Sequence, residues 1–204
     1  MVHRQLNLDF YQGFSISSSP KVSAALEKLS QSDNSESRGA IFTRSEVVDF
    51  ILDLAGYTNE QPLHKKRILE PSFGAGDFLL PITERLLSAW RNKKGTLDDL
   101  GTAIYAVELH RKTYNKTYEA VLSLLEKEGL TTQTATDLLK RWLFQGDFLL
   151  APLQGEFDFV IGNPPYVRQE MIPAPLLAEY RCRYQTIYDR ADLYIPFIEH
   201  SLSH

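Results

Sequence analysis

Several things are scarce in this chain of 204 residues, and each scarcity removes a class of protein. No stretch approaches the ~20 apolar residues that a membrane-spanning helix requires. Met1-Val2-His3-Arg4 is not followed by the apolar core of a secretory signal. Cysteine occurs once, as Cys182, so no internal disulfide can form. No Cys/His cluster has zinc spacing either, and a reducing, cytoplasmic setting is the expectation. Positive charge is short as well: 22 Lys and Arg against 26 Asp and Glu leave a net charge of −4. Phosphate neutralisation by Lys and Arg dominates most nucleic-acid affinity. Either the partner is not nucleic acid, or its basic surface belongs to polypeptide outside these residues. What remains is ordinary: 43% hydrophobic and 24% charged residues is a globular composition, long enough to bury a core.

Residues 1–38 are polar and Ser-rich, with Ser30-Gln31-Ser32-Asp33-Asn34-Ser35-Glu36-Ser37 at their end. That composition predicts a flexible arm, or a loop that orders on a partner. From residue 39 helix and strand signals alternate. Val47, Val48, Ile51 and Leu54 fall at helical spacing within Ser45–Leu54. Short apolar runs predict strands at 67–69, 102–107, 142–144 and 157–161, separated by helices over 77–93, 110–128 and 134–141. Helical character returns over 176–184 and 192–202. This order predicts an α/β fold, a doubly wound and mostly parallel Rossmann-like sheet, here ending after the fourth strand and its following helices. In such sheets ligands bind beyond the carboxyl ends of the strands.

The chemistry-bearing residues fall at those ends. The first strand runs into Glu70-Pro71-Ser72-Phe73-Gly74-Ala75-Gly76-Asp77. Gly74 and Gly76 let the backbone turn tightly and approach a ligand, and the next helix offers its N-terminal amides to an anionic group. The GxxxxGK[ST] phosphate pattern is absent, and Leu79 replaces the third glycine of a nicotinamide fingerprint. A ligand carboxylate suits the loop, and so would a plain strand-to-helix turn. Glu108, ending the second strand, is either a solvated terminus or an acceptor for ribose hydroxyls. Asp147-Phe148, after the third strand, is either a turn acid with a core ring or an acceptor for an adenine amine beside a stacking ring.

The fourth strand ends in Gly162-Asn163-Pro164-Pro165-Tyr166. Two prolines cannot donate to a sheet ladder, so pairing stops there and the segment stiffens. The Asn163 oxygen and the Pro164 carbonyl make two acceptors suited to one NH₂ group. With Pro near ~5% of residues, chance odds for such a tetrapeptide are on the order of one in a thousand.

These four strand ends resemble the class I S-adenosylmethionine-dependent methyltransferases, specifically the N6-adenine DNA methyltransferases of restriction–modification systems. In those the cofactor motif precedes the Asn-Pro-Pro-Tyr motif and target recognition comes last. The resemblance covers about residues 39–202. It implies a methyltransferase domain over 39–204, with S-adenosylmethionine held by Thr43, Glu70, Phe73, Gly74, Gly76, Glu108, Asp147 and Phe148. Thr43 lies in Gly39-Ala40-Ile41-Phe42-Thr43, where the family usually has Thr-Pro and this chain has Thr43-Arg44. Asn163, Pro164, Pro165 and Tyr166 would be catalytic, with Tyr166 stacking on a flipped adenine. Val167-Arg168-Gln169-Glu170 and Ala191-Asp192-Leu193-Tyr194 resemble segments of large single-chain restriction–modification enzymes. The partner implied is double-stranded DNA, held through a downstream recognition domain; no metal and no membrane is implied. The five histidines (His3, His64, His110, His200 and His204) read as surface or incidental. Rival readings are a protein-glutamine methyltransferase, a ribosomal-RNA base methyltransferase, or a cofactor-binding module inactive without its C-terminal partner.

Overall fold

Side-chain alternation along two short strands decides the architecture of the computed structural model, which describes residues 19–32, 42–188 and 191–203. In β1 (Ile68–Glu70), Ile68 faces one apolar cluster and Leu69 the other. In β2 (Ile104–Glu108), Ile104 and Ala106 face the first cluster and Val107 the second. Both faces of the sheet are therefore buried, as a parallel sheet demands. β3 (Leu143–Gln145) and β4 (Phe159–Val160) complete an all-parallel sheet of order β3-β2-β1-β4. The strand sequence reverses direction between β1 and β4, which makes their carboxyl ends the switch point where such sheets bind ligands.

The helices form one layer on each face. Helix α1 spans Pro20–Ser30, α2 Ser45–Leu54 and α3 Leu79–Asn92, with a short turn α4 at Leu97–Leu100. Then come α5 (Arg111–Lys127), α6 (Thr132–Trp142), α7 (Ala174–Arg183) and α8 (Tyr194–Leu202). Residues of α2, α3, α5 and α6 build the first cluster around Leu52, Leu86, Val121 and Trp142. Residues of α1, α7, α8 and the 148–153 segment build the second around Leu26, Phe148, Tyr180 and Phe197. Among the described residues no helix is long and apolar enough to cross a membrane.

The expected α/β class and the strand and helix order are present, with bounds shifted by at most two residues. One expectation fails in part. Residues 20–30 lie inside the Ser-rich stretch read as a flexible arm, yet they form α1 and pack against α7. The reason is spacing hidden by composition: Val22, Ala25, Leu26 and Leu29 repeat at three and four residues, so one face is apolar, and Pro20 starts the helix. Residues 1–18 and 33–38 of that arm lie outside the described residues.

β4 is shorter than its apolar run. It follows a loop pinned to the start of β1: Asp158 accepts from the Arg67 amide at 2.8 Å and from Lys66 Nζ at 2.7 Å. The Arg67 guanidinium donates to the Gln154 and Glu156 carbonyls and lies 4.5 Å from the centroid of the Phe157 ring. Exposed ion pairs of this kind add little stability, but the anchor fixes which residue of β4 meets β1. Phe159 pairs with Ile68 and Val160 with Leu69 before Gly162 and the prolines end the ladder.

Candidate active site

The carboxyl ends of all four strands open into one cavity of about 670 Å³, within the ~300–1,000 Å³ of small-molecule sites. At β1, the 71–77 loop is stitched to its neighbours. The Phe73 amide donates to the Val107 carbonyl at 3.0 Å and the Gly74 amide to Glu108 Oε2 at 2.9 Å. Thr117 Oγ1 donates to the Gly74 carbonyl at 2.7 Å. Gly74 and Gly76 hold φ of 49° and 90°, and a Cβ on Gly76 would lie 3.0 Å from Thr117 Cγ2. Dihedral and space both favour glycine at position 76, and the dihedral alone does so at position 74.

Three carboxylates converge on this loop. Glu108 is buried, and its other oxygen, Oε1, accepts from the His110 amide at 2.7 Å and meets His110 Nδ1 at 3.0 Å. Asp77 Oδ2 accepts from the Thr43 amide at 2.8 Å. Glu70 is buried, and its Oε2 finds no hydrogen-bond partner among the described residues. Burial, with Glu108 and then Asp77 nearby, pushes its carboxyl well above the usual carboxylate range. An orphaned acid in an acidic corner suits a ligand that brings positive charge into the cavity.

At β3, Asp147 is buried. Its Oδ1 accepts from the Leu149 amide at 2.8 Å and its Oδ2 from the Tyr180 hydroxyl of α7. Burial pushes Asp147 up to about 6, opposed by Tyr180, by the Leu149 and Leu150 amides and by Arg183. Phe148 lines the cavity while packed between Phe197 and His200, with centroids 4.9 and 4.8 Å away.

At β4, Asn163 and Pro165 line the same cavity. Asn163 Nδ2 donates to Thr43 Oγ1 at 3.3 Å, turning the nitrogen edge of the carboxamide toward the start of α2. Thr43 thus touches both the cofactor loop, through Asp77, and the Asn-Pro-Pro-Tyr segment. Tyr166 is 50% exposed at the rim, its ring centroid 5.8 Å from that of Tyr194 on α8. Thr43, Glu70, Phe73, Gly74, Glu108, Asp147, Phe148, Asn163 and Pro165 line the cavity, whereas Gly76, Pro164 and Tyr166 do not. Of the segment resembling the family's methionine-side strand, Gly39, Ala40 and Ile41 lie outside the described residues.

Several lining residues escape a reading of the sequence. His110, expected to be incidental, braces Glu108 and lines the cavity; its place two residues past a strand-end acid was the available signal. His64 is buried and His200 packs on Phe148, whereas His3 and His204 lie outside the described residues. Leu29 of α1, Lys112 and Lys116 of α5, and Tyr180 also line the cavity, and no motif marks them. Among the described residues no group of three or more His, Cys, Asp and Glu side chains could hold a metal ion.

The donor set fits S-adenosylmethionine, whose ammonium and sulfonium carry positive charge and whose carboxylate, ribose and adenine need separate partners. The unpartnered Glu70 oxygen offers an acceptor for a cationic group, the Gly74–Gly76 turn admits a close backbone approach, and Glu108 and Asp147 stand at successive strand ends.

Comparison with known proteins agrees. Residues 78–204 match the Eco57I restriction-modification methylase family. The chain is 71% identical over 185 residues to the Type II methyltransferase M.PaeR7I of Pseudomonas aeruginosa, covering 89% of this chain and 32% of that protein. It is 52% identical over 171 residues to the Type II methyltransferase M.XhoI of Xanthomonas vasicola, covering 82% and 31%. The chain therefore spans about a third of the length of these relatives. A solved Listeria monocytogenes structure, provisionally assigned as a class I S-adenosylmethionine-dependent methyltransferase, superposes with a TM-score of 0.52 at 16% identity, over 89% of this chain and 47% of that one. At that identity the likeness concerns the fold.

Proposed function

The chain belongs to the Eco57I restriction-modification methylase family, and on that premise we propose that it forms the cofactor-binding and catalytic part of a DNA methyltransferase acting on the N6 amine of adenine. The observation that carries this reading is the placement of Asn163-Pro164-Pro165-Tyr166 at the switch point, with Asn163 and Pro165 lining the cavity shared with Glu70, Glu108 and Asp147.

S-adenosylmethionine supplies an electrophilic methyl group on a sulfonium. The chain's own residues bind, orient and position. Glu70 and Asp77 answer the cationic end of the cofactor, Glu108 the ribose hydroxyls, and Asp147 the adenine amine. The target adenine cannot be reached within a stacked duplex, so it is extruded at a cost of a few kcal/mol and received by Tyr166 and Tyr194 at the rim. Asn163 Oδ1 and the Pro164 carbonyl accept the two N6 hydrogens, directing the nitrogen lone pair at the methyl. In transfer the N–C bond would form as the S–C bond breaks, leaving a neutral thioether, and N6 would release one proton to solvent. Neither acceptor is a base; both act by position and by aligned dipoles. With a net charge of −4, these residues carry no phosphate-neutralising excess, so DNA is gripped mainly by polypeptide outside them, in a recognition domain. The proposed setting is the cytoplasm.

The test is transfer of labelled methyl groups by the full-length protein to unmodified duplex DNA, followed by nucleoside analysis. N6-methyladenine is expected. N4-methylcytosine would overturn the choice of base, and labelling of a glutamine-bearing protein but of no nucleic acid would overturn the choice of substrate. Asn163→Ala should reduce turnover by the ~2.7–4 kcal/mol typical of a lost transition-state contact while leaving cofactor affinity near the parent value. Equal losses of both would make Asn163 a structural residue.

A further inference from the structure

Asp147 lies more than thirty residues from the side chain that controls it. Tyr180 belongs to α7, beyond the Asn-Pro-Pro-Tyr segment; it is buried, lines the cavity and donates its hydroxyl to Asp147 Oδ2. We infer that Tyr180 is a positioning residue for cofactor recognition, its hydroxyl holding the Asp147 carboxylate ionised and aimed at the adenine amine of the cofactor. This rests on the reading of Asp147 as the acid that faces that amine.

The geometry supports it in three ways. First, a carboxylate offers about four lone-pair sites. The Leu149 amide takes one on Oδ1 and the Tyr180 hydroxyl one on Oδ2, so each oxygen is oriented and each keeps acceptor capacity. Second, the tyrosine is itself immobilised. Leu176 and Tyr180 on α7 and Val22 and Leu26 on α1 belong to one buried cluster, and α1 packs on α7. The nearby Tyr184 hydroxyl does not compete for Asp147, because it donates to the Leu149 carbonyl at 2.5 Å. Third, the other charges around Asp147 are few or engaged. Arg183 favours its ionised form, Glu199 accepts from Gln185 and Thr186, and His200 presents its ring to Phe148 and Tyr184. Glu108 and Lys112 face the same cavity. Tyr180 is the foremost influence opposing the burial that pushes Asp147 up to about 6. A neutral carboxylic acid would be the poorer acceptor for an amine, so Tyr180 extends recognition toward lower pH.

The sign is definite. Removing the hydroxyl raises the Asp147 midpoint further, so binding that needs the ionised form fails at a higher pH. The experiment is calorimetric titration of the full-length protein with S-adenosylhomocysteine from pH 5 to 8.5. The parent should bind uniformly above about pH 6 and weaken below it. Tyr180→Phe should move that midpoint up by roughly one to two pH units, as expected for a lost hydrogen bond to a charged group, and so weaken binding about two- to tenfold at pH 7. Asp147→Asn should flatten the profile, and Asp147→Asn with Tyr180→Phe should bind like Asp147→Asn alone. 3-Fluorotyrosine incorporated at position 180, a stronger donor on the same ring, should lower the midpoint, which keeps the test open should the phenylalanine variant fold poorly. An unmoved midpoint in both replacements, or fully additive losses in the double variant, would overturn the role of Tyr180. An unchanged affinity and profile for Asp147→Asn would instead overturn the placing of Asp147 against the cofactor.

Discussion

On the β1–β2 side of the cleft, the 71–77 loop is fastened by the Val107 carbonyl, by Glu108, by Thr117 and by the Asp77 contact to Thr43. On the β4 side, the Asn-Pro-Pro-Tyr segment leaves a two-residue strand with one sheet neighbour, Val160 is 40% exposed, and Tyr166 stands half in solvent. The two sides hold their shape differently. The first is ordered by hydrogen bonds reaching in from β2, α5 and the segment before α2. The second is ordered by its covalent structure, because Pro164 and Pro165 fix their own φ whatever surrounds them. A loop ordered by contacts can be undone by one distant side chain, whereas a loop ordered by its own rings cannot. Substitutions should therefore propagate on the first side and stay local on the second.

Among the substitutions that test this contrast, the largest effect on cofactor affinity should come from Glu108→Ala. Glu108 accepts from the Gly74 amide, the His110 amide and His110 Nδ1, so its loss leaves two backbone donors unpaired at about 1.5–3 kcal/mol for a charged contact. Cofactor affinity should fall about ten- to a hundredfold. Amide hydrogen exchange should accelerate at Gly74, which the Glu108 carboxylate holds, and stay constant at Val167. Unchanged exchange at Gly74 would break the comparison, since the loop would then be ordered without its brace.

A smaller and purely local effect is expected at the rim. Base–aromatic stacking is worth roughly 1–3 kcal/mol, so Tyr166→Ala should lose much of the turnover and Tyr166→Phe should keep it. Cofactor affinity should match the parent in both. A 2-aminopurine at the target position should brighten on extrusion and be partly quenched by the tyrosine ring. If Tyr166→Ala and the parent give the same signal and the same turnover, the ring only packs against Tyr194.

The contrast between the two sides also explains what could be read along the chain. Strand-end residues were legible because the chemistry of a parallel sheet is confined to such ends, and Glu70, Glu108, Asp147 and Asn163 each follow an apolar run. The braces were not, because they are tertiary. Thr117 reaches Gly74 across 43 residues and Tyr180 reaches Asp147 across 33, and no local pattern announces either. Helix α1 was masked by its Ser-rich surroundings, although Val22 and Leu26 face in and Ser30 is itself buried. The turn at Leu97–Leu100 carries a readable signal, Thr96 and Asp99 forming a capping box, but its four residues are too few for a periodicity to register. Strand bounds drifted because an apolar run does not mark where ladder pairing begins and stops, as β4 shows by pairing only Phe159 and Val160 with β1.

The smallest effect falls on the residue joining the two sides. Thr43 gives its amide to Asp77 and receives the Asn163 amide on its hydroxyl. The first contact is made by the backbone and survives any substitution that keeps the local conformation; the second belongs to the side chain. Thr43→Val keeps the shape and removes the hydroxyl, so it separates the two contacts. If Asn163 is held mainly by its rigid neighbours, losing one neutral hydrogen bond should cost about 0.5–1.5 kcal/mol, a few-fold fall in turnover with cofactor affinity unchanged, and Thr43→Ser should restore it. If Thr43→Val instead loosens cofactor binding as much as Glu108→Ala does, the hydroxyl is part of the contact-ordered side. The division drawn between the two halves of the cleft would then be wrong at the point where they meet.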